Sequence, residues 1–164
     1  RELPCDILGV GIGIHTELPI LERAGLGLSR GILTNEYLET NIKDVYAAGD
    51  IAEYKDLLLG RSLVMGNWMN AMMQGRDVAK TMAGERTAYT LISSYSSNFL
   101  GVEIAYVGDV SRRDADKVTV HVQTEKETIQ LFERDGRTVG AVILGDMKRR
   151  QAITNAIKDQ KLYE

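Results

Sequence analysis

A single cysteine, Cys5, is all the thiol chemistry that the 164-residue sequence holds. This excludes a disulfide framework and a cysteine-based metal site within the chain, and it fits a reducing, cytoplasmic setting. Histidine is nearly as scarce: His15 and His121 lie far apart, and neither has a second ligand at metal spacing. No apolar run approaches the ~20 residues of a membrane span, and no signal peptide is visible. Twenty basic against 23 acidic side chains leave a net charge of −3, which gives no electrostatic footprint for nucleic acid. No nucleophile–base pair and no carboxylate dyad stand out, so local chemistry shows no catalytic machinery. An initiating methionine is missing too. The chain starts at Arg1 and turns apolar almost at once, whereas natural termini usually fray before their first element; a fragment of a longer protein is expected.

What is present is the ordinary composition of a globular protein, 44% hydrophobic and 26% charged. The short apolar run Asp6–Val10 predicts a buried strand, with Cys5 as a small packing residue ahead of it. A short helix is expected over 17–25, capped by Thr16 and stopped by Gly25. Extended pieces are expected at Gly31–Leu33 and Val45–Ala48. From Trp68 to Ala83 the period is helical: Trp68, Ala71, Met72, Gly75, Val78, Ala79 and Met82 share one face, Asn70, Gln74, Asp77 and Lys80 another, and Gly84 ends it.

The texture changes after residue 85, and the serine-rich stretch Ser93–Asn98 marks a boundary. Beyond it, Val118, Val120 and Val122 alternate with polar residues as in a half-buried strand. A second strand is expected over 127–134, then an Asp135-Gly136 hairpin into a third over 137–144, which is apolar on both faces and so central. Asp146 is expected to cap a last helix, with Ile153, Ala156 and Ile157 inward. Lys148, Arg149, Arg150, Lys158 and Lys161 make that helix basic, either as a solvated face or as a docking site for an acidic electron carrier. The fold class is therefore α/β followed by α+β.

Gly9, Gly11 and Gly13 do not make a dinucleotide fingerprint, because the third glycine comes too soon and no helix opens on it. The segment Thr40–Asp50 carries more. A small, apolar strand ends at Gly49, then a carboxylate, Asp50, just where open α/β sheets bind ligands. Glycine permits close approach to the backbone, and a carboxylate suits sugar or ribitol hydroxyls better than phosphates. An ordinary Gly-Asp turn is the alternative, and the residues alone leave the two even.

Thr40-Asn41-Ile42-Lys43-Asp44-Val45-Tyr46-Ala47-Ala48-Gly49-Asp50 resembles the second FAD motif of the pyridine nucleotide–disulfide oxidoreductase superfamily. Upstream, Gly11-Ile12-Gly13-Ile14-His15-Thr16-Glu17-Leu18 resembles that family's return to the FAD domain, with Ile14-His15 in place of Pro-Asn. Downstream, Asn67-Trp68-Met69-Asn70-Ala71 and Gln74-Gly75-Arg76 resemble the helix start of the ferredoxin- and rubredoxin-reductase branch. Residues 135–146 resemble, more loosely, the interface domain of nitrite-reductase-like and rubredoxin-reductase-like members.

The resemblance implies an incomplete Rossmann-like FAD-binding domain over 1–85, with the end of an NAD(P)H domain at 1–12. It implies an interface or dimerisation domain over 86–164. Gly49 and Asp50 would hold the flavin ribitol, while Asn67, Trp68 and Ala71 open the helix that faces the flavin. Trp68 either lies beside the ring or anchors the helix in the core. The parent enzyme would pass hydride from NAD(P)H to FAD and electrons onward to a carrier protein or redox centre. The piece itself is expected to be inactive, lacking the first FAD motif and the NAD(P)H domain. Another reading is a non-catalytic module for homodimerisation or partner docking.

Overall fold

The computed structural model describes residues 3–11 and 19–164. Its C-terminal half is built outward from one strand. Val139–Leu144 is apolar on both faces, so it needs a neighbour on each edge and a layer on each side. Strand β8 (Arg137–Gly145) takes that place in a five-stranded antiparallel sheet, between β5 (Val102–Gly108) and β7 (Glu127–Arg134). The outer strands are β4 (Ser94–Phe99), beside β5, and β6 (Lys117–Gln123), beside β7. The Asp135-Gly136 turn joins β7 to β8 with φ of 50° and 70°, the left-handed pair that matches strand twist in a two-residue hairpin. Helix α3 (Arg150–Lys158) covers β8 and β5 with Ile153 and Ile157, both buried.

The N-terminal half contributes a short helix, α1 (Pro19–Arg23), and a three-stranded sheet. In it β1 (Ile32–Thr34) runs parallel to β2 (Ala52–Asp56), and β3 (Arg61–Leu63) returns antiparallel. Helix α2 (Trp68–Met82) follows. One buried cluster unites Leu38, Tyr54, Leu59, Leu63 and Val78 with Ile129, Phe132, Val139 and Ile143 from the other sheet. Ion pairs reinforce the seam. Asp109 meets Arg61 at 3.1 Å and Arg134 at 3.2 Å, and Arg134 also donates to the Leu59 carbonyl at 2.7 Å.

The α/β plus α+β organisation, the three strands at 117–145 and the Trp68 helix follow the sequence expectations. Several local expectations do not. Residues 6–10 form no ladder among the described residues: Ile7 is 90% exposed and Leu8 77%, and Cys5 is exposed rather than packed. An apolar run is held as a strand only where a sheet and a covering layer receive it, and no described element does so here. Gly13, His15, Thr16 and most of the 11–18 segment lie outside the described residues. The helix expected over 17–25 is described only over Pro19–Arg23, with Gly25 at φ 80° beyond it.

Val45–Ala48 is not a strand. Its one ladder contact is an isolated bridge from Tyr46 to Glu39, because β1 finds its parallel partner in β2 instead. Most of Ser93–Asn98, read as a boundary, belongs to the exposed edge strand β4 (Ser94–Phe99); an edge strand needs no apolar face, so its serines disguised it. Asp146 does not cap α3. It accepts the Lys148 N–H in a turn four residues ahead of the helix.

Two predictions follow from this packing. Gly140 faces Gly108 across the β5–β8 ladder, and a Cβ there would overlap the Asp109 carbonyl. Gly140→Ala is expected to lower unfolding stability by about 1–3 kcal/mol, read by urea denaturation, because backbone must move to admit the methyl. The second concerns pH. Glu39 takes two 2.8 Å bonds from Arg86 and one from Asn35, which lower its carboxyl from 4.5 to about 2. A depressed carboxylate contributes stability above its unfolded pKa and loses it as pH falls through the folded one. The stability gap between the wild type and Arg86→Ala should therefore be full above pH 4.5 and vanish near pH 2, as measured by urea midpoints across that range.

Candidate functional site

The site is set by a loop that closes on itself. The Thr40 hydroxyl and N–H both donate to the Val45 carbonyl, at 2.9 and 3.0 Å. The Asn41 amide clamps Gly27 N–H and the Gly25 carbonyl, at 2.7 and 2.8 Å. Ala47 N–H then donates to Leu38, and the chain enters the Gly49-Asp50 turn, which Ala52 N–H closes by donating to the Gly49 carbonyl at 3.0 Å. Gly49 is buried with φ 83°, a conformation that a side chain strains. Its missing Cβ would meet the Ala71 Cβ at 3.5 Å. The Cβ direction points at α2, so this glycine serves the turn and its fit against the helix. Asp50 is exposed.

Helix α2 begins beside that turn. Asn67 caps it, accepting the Asn70 N–H at 2.9 Å and donating to the Ser93 hydroxyl at 2.9 Å. The face that turns inward is the amide face. Asn70 and Gln74 are fully buried, with Val78 and Thr81 behind them, while Trp68 is 73% exposed and Met72 46%. The sequence pattern grouped Val78 with Trp68 and Lys80 with the amides; instead Val78 turns inward with Asn70 and Gln74, Lys80 is exposed, and Trp68, Met72, Gly75, Ala79 and Met82 form the outer face. The amides go inward because backbone groups and a phenol wait there. Asn70 donates to the Met65 carbonyl at 3.1 Å and accepts from Tyr89 at 2.9 Å. Gln74 accepts the Gly49 N–H at 2.7 Å. Burial pushes the Tyr89 phenol up, so it remains a donor across the neutral range.

All five sequence-derived site residues thus stand on two elements in contact: Gly49 and Asp50 on the turn, Asn67 as the cap of α2, and Trp68 and Ala71 on the helix. Trp68 faces outward and is not a core anchor. With Met69, Tyr95 and Arg150 it lines an open cavity of about 350 Å³. Gln74 and Asn70 were missed as site residues, although their i, i+4 spacing was the available signal. The basic face of α3 is largely matched within the fold. Lys148 pairs with Asp146 at 2.9 Å, Arg149 with Glu127 at 2.9 Å, and Arg150 donates to the Ser94 hydroxyl. Among the described residues no cluster of His, Cys, Asp and Glu is placed to hold a metal ion, and no described helix is long and apolar enough to cross a membrane. His121 is exposed and edge-on to Tyr163.

Two family descriptions divide the sequence as the two sheets do. Residues 1–75 match the pyridine nucleotide-disulphide oxidoreductase family, and residues 96–161 match the rubredoxin NAD+ reductase C-terminal domain. The NADH-rubredoxin oxidoreductase of Clostridium acetobutylicum is 27% identical over 93% of this chain and 39% of its own length. The rubredoxin-NAD(+) reductase of Acinetobacter baylyi is 44% identical over 53% of this chain and 21% of its own. The crystal structure of a ferredoxin reductase from Rhodopseudomonas palustris shares the fold, with a TM-score of 0.85 at 23% identity over 98% of this chain and 40% of that one. The chain thus spans two fifths or less of each of these three proteins. The two matches follow one another in the order in which this fold places its two sheets, so the chain is similar to the pyridine nucleotide–disulphide oxidoreductase family over residues 1–75 and to the rubredoxin NAD+ reductase C-terminal domain over residues 96–161.

Proposed function

We propose that this chain supplies one wall of the flavin site in an FAD-dependent NAD(P)H oxidoreductase that delivers electrons to a small carrier protein. The observation that carries the reading is the exposed Asp50 carboxylate, on a turn locked to α2 through Gly49. The residues present fit that cofactor. An exposed carboxylate accepts from ribitol hydroxyls, the start of a 15-residue helix favours negative charge, and the exposed Trp68 offers a flat apolar face to a ring. When bound, FAD supplies the redox centre between a nicotinamide donor and the acceptor. The chain's own residues orient it: Asp50 as hydroxyl acceptor, Gly49 by shaping the turn, and Asn67 by capping the helix. A carrier as acceptor is supported by the relatives' names, which specify rubredoxin.

Asp50→Ala, made in the full-length protein that contains this chain, is expected to lower flavin retention about ten-fold or more, since a hydrogen bond to a charged group is lost. Flavin content after gel filtration, read by absorbance, checks it. Unchanged occupancy would sink the ribitol assignment.

A homodimer through the C-terminal sheet is a second reading. It is supported by the β4 edge and by the apolar tip next to it, where Phe99 is 66% and Leu100 88% exposed. Sedimentation of this chain should then show a dimer that Leu100→Lys dissociates; a monomer at all concentrations removes the idea.

A further inference from the structure

Gln74 is a costly residue for the position it occupies. It is fully buried on α2, and its Oε1 accepts the Gly49 N–H at 2.7 Å. The donor is an N–H, so the amide orientation is fixed with oxygen toward Gly49. The Nε2 that remains has no partner among the described residues. A half-satisfied buried amide is worse for stability than a hydrocarbon of the same shape, and methionine would fill the site on a helix at least as well. Stability alone does not account for glutamine here. Its useful product is the bond to Gly49, one peptide ahead of Asp50.

The surrounding geometry shows why that bond matters. Gly49 at φ 83° has no Cβ to key it against α2, and its carbonyl is already used by the Ala52 N–H. The N–H is therefore the handle by which the helix can fix the tilt of this peptide, and Gln74 holds it. Asn70, one turn earlier on the same face, fixes the helix itself to Met65 and Tyr89. The helix is thus anchored by one amide and grips the turn with the next.

We infer that Gln74 is a positioning residue for the flavin site, acting through Gly49 to aim the Asp50 carboxylate. The inference rests on the proposal that Asp50 holds the flavin. Gln74 acts only through its acceptor oxygen, so its contribution to cofactor retention passes through Asp50 and disappears when Asp50 is gone.

A double-mutant cycle in the flavin-loaded full-length protein tests this. Q74M alone is expected to weaken flavin retention about ten-fold, with the fold intact by circular dichroism. In the Asp50→Ala background the same substitution should cost less than about two-fold, because coupled residues do not add. Additive losses, or no loss from Q74M alone, overturn the inference. An Asp50→Ala variant with undiminished flavin instead overturns the flavin assignment, and this inference with it. Q74E keeps an oxygen for the Gly49 N–H and provides the rescue arm, which also decides the matter if Q74M does not fold. Retention within about three-fold of wild type supports the positioning role, and a loss as large as that of Asp50→Ala refutes it.

Discussion

The side-chain amides of Asn70 and Gln74, stacked a turn apart on the inner face of α2, tie that helix to separate pieces of chain. Asn70 reaches the Met65 carbonyl before the helix and the Tyr89 hydroxyl after it, while Gln74 reaches the Gly49 N–H far upstream. Hydrocarbon would have held α2 in place without specifying its register. Hydrogen bonds have direction, so these fix both the rotation of the helix and its height against the Gly49-Asp50 turn. The outward position of Trp68 follows. Once the amides point inward, the indole is carried toward the cavity it shares with Tyr95 and Arg150.

The two sheets meet across a seam that is apolar at its centre and ionic beside it. Tyr54 and Leu59 share a buried cluster with Phe132 and Val139, and Asp109 bridges Arg61 of one half to Arg134 of the other. Removing either arginine would leave a buried carboxylate less compensated, which costs more than an exposed pair returns. The seam also places β4 and α3 next to the start of α2, so the cavity beside Trp68 is lined from both halves of the chain.

The parts of the fold that were legible were those decided by near neighbours. Strands β7 and β8 were readable because Asp135-Gly136 specifies its own turn and Val139–Leu144 its own centrality. Helix α2 was readable because fifteen residues keep one period. Strand β2 was not. Its Glu53 and Asp56 are buried, and the sequence Ala-Glu-Tyr-Lys-Asp looks like surface until their partners are known. Arg30, 23 positions away, satisfies Glu53, and the N–H groups of Leu58 and Leu59 satisfy Asp56. Strand β4 was hidden for a different reason, since an edge strand with both faces exposed carries no alternation to read.

The same division runs through the site. The sequence by itself determined that Gly49 and Asp50 form a turn and that a helix opens at Asn67 and Trp68, because glycine at a turn and a side-chain cap are properties of a few consecutive residues. It also pointed, by resemblance, to the family whose description matches residues 1–75. Only the tertiary structure decided which face of α2 is inside. Periodicity separates two faces of a helix but assigns them by hydrophobicity alone, and it has no term for an amide that meets a backbone N–H from 25 residues away. That single long-range bond holds a Gly-Asp turn and a helix, each legible on its own, against each other as one candidate site.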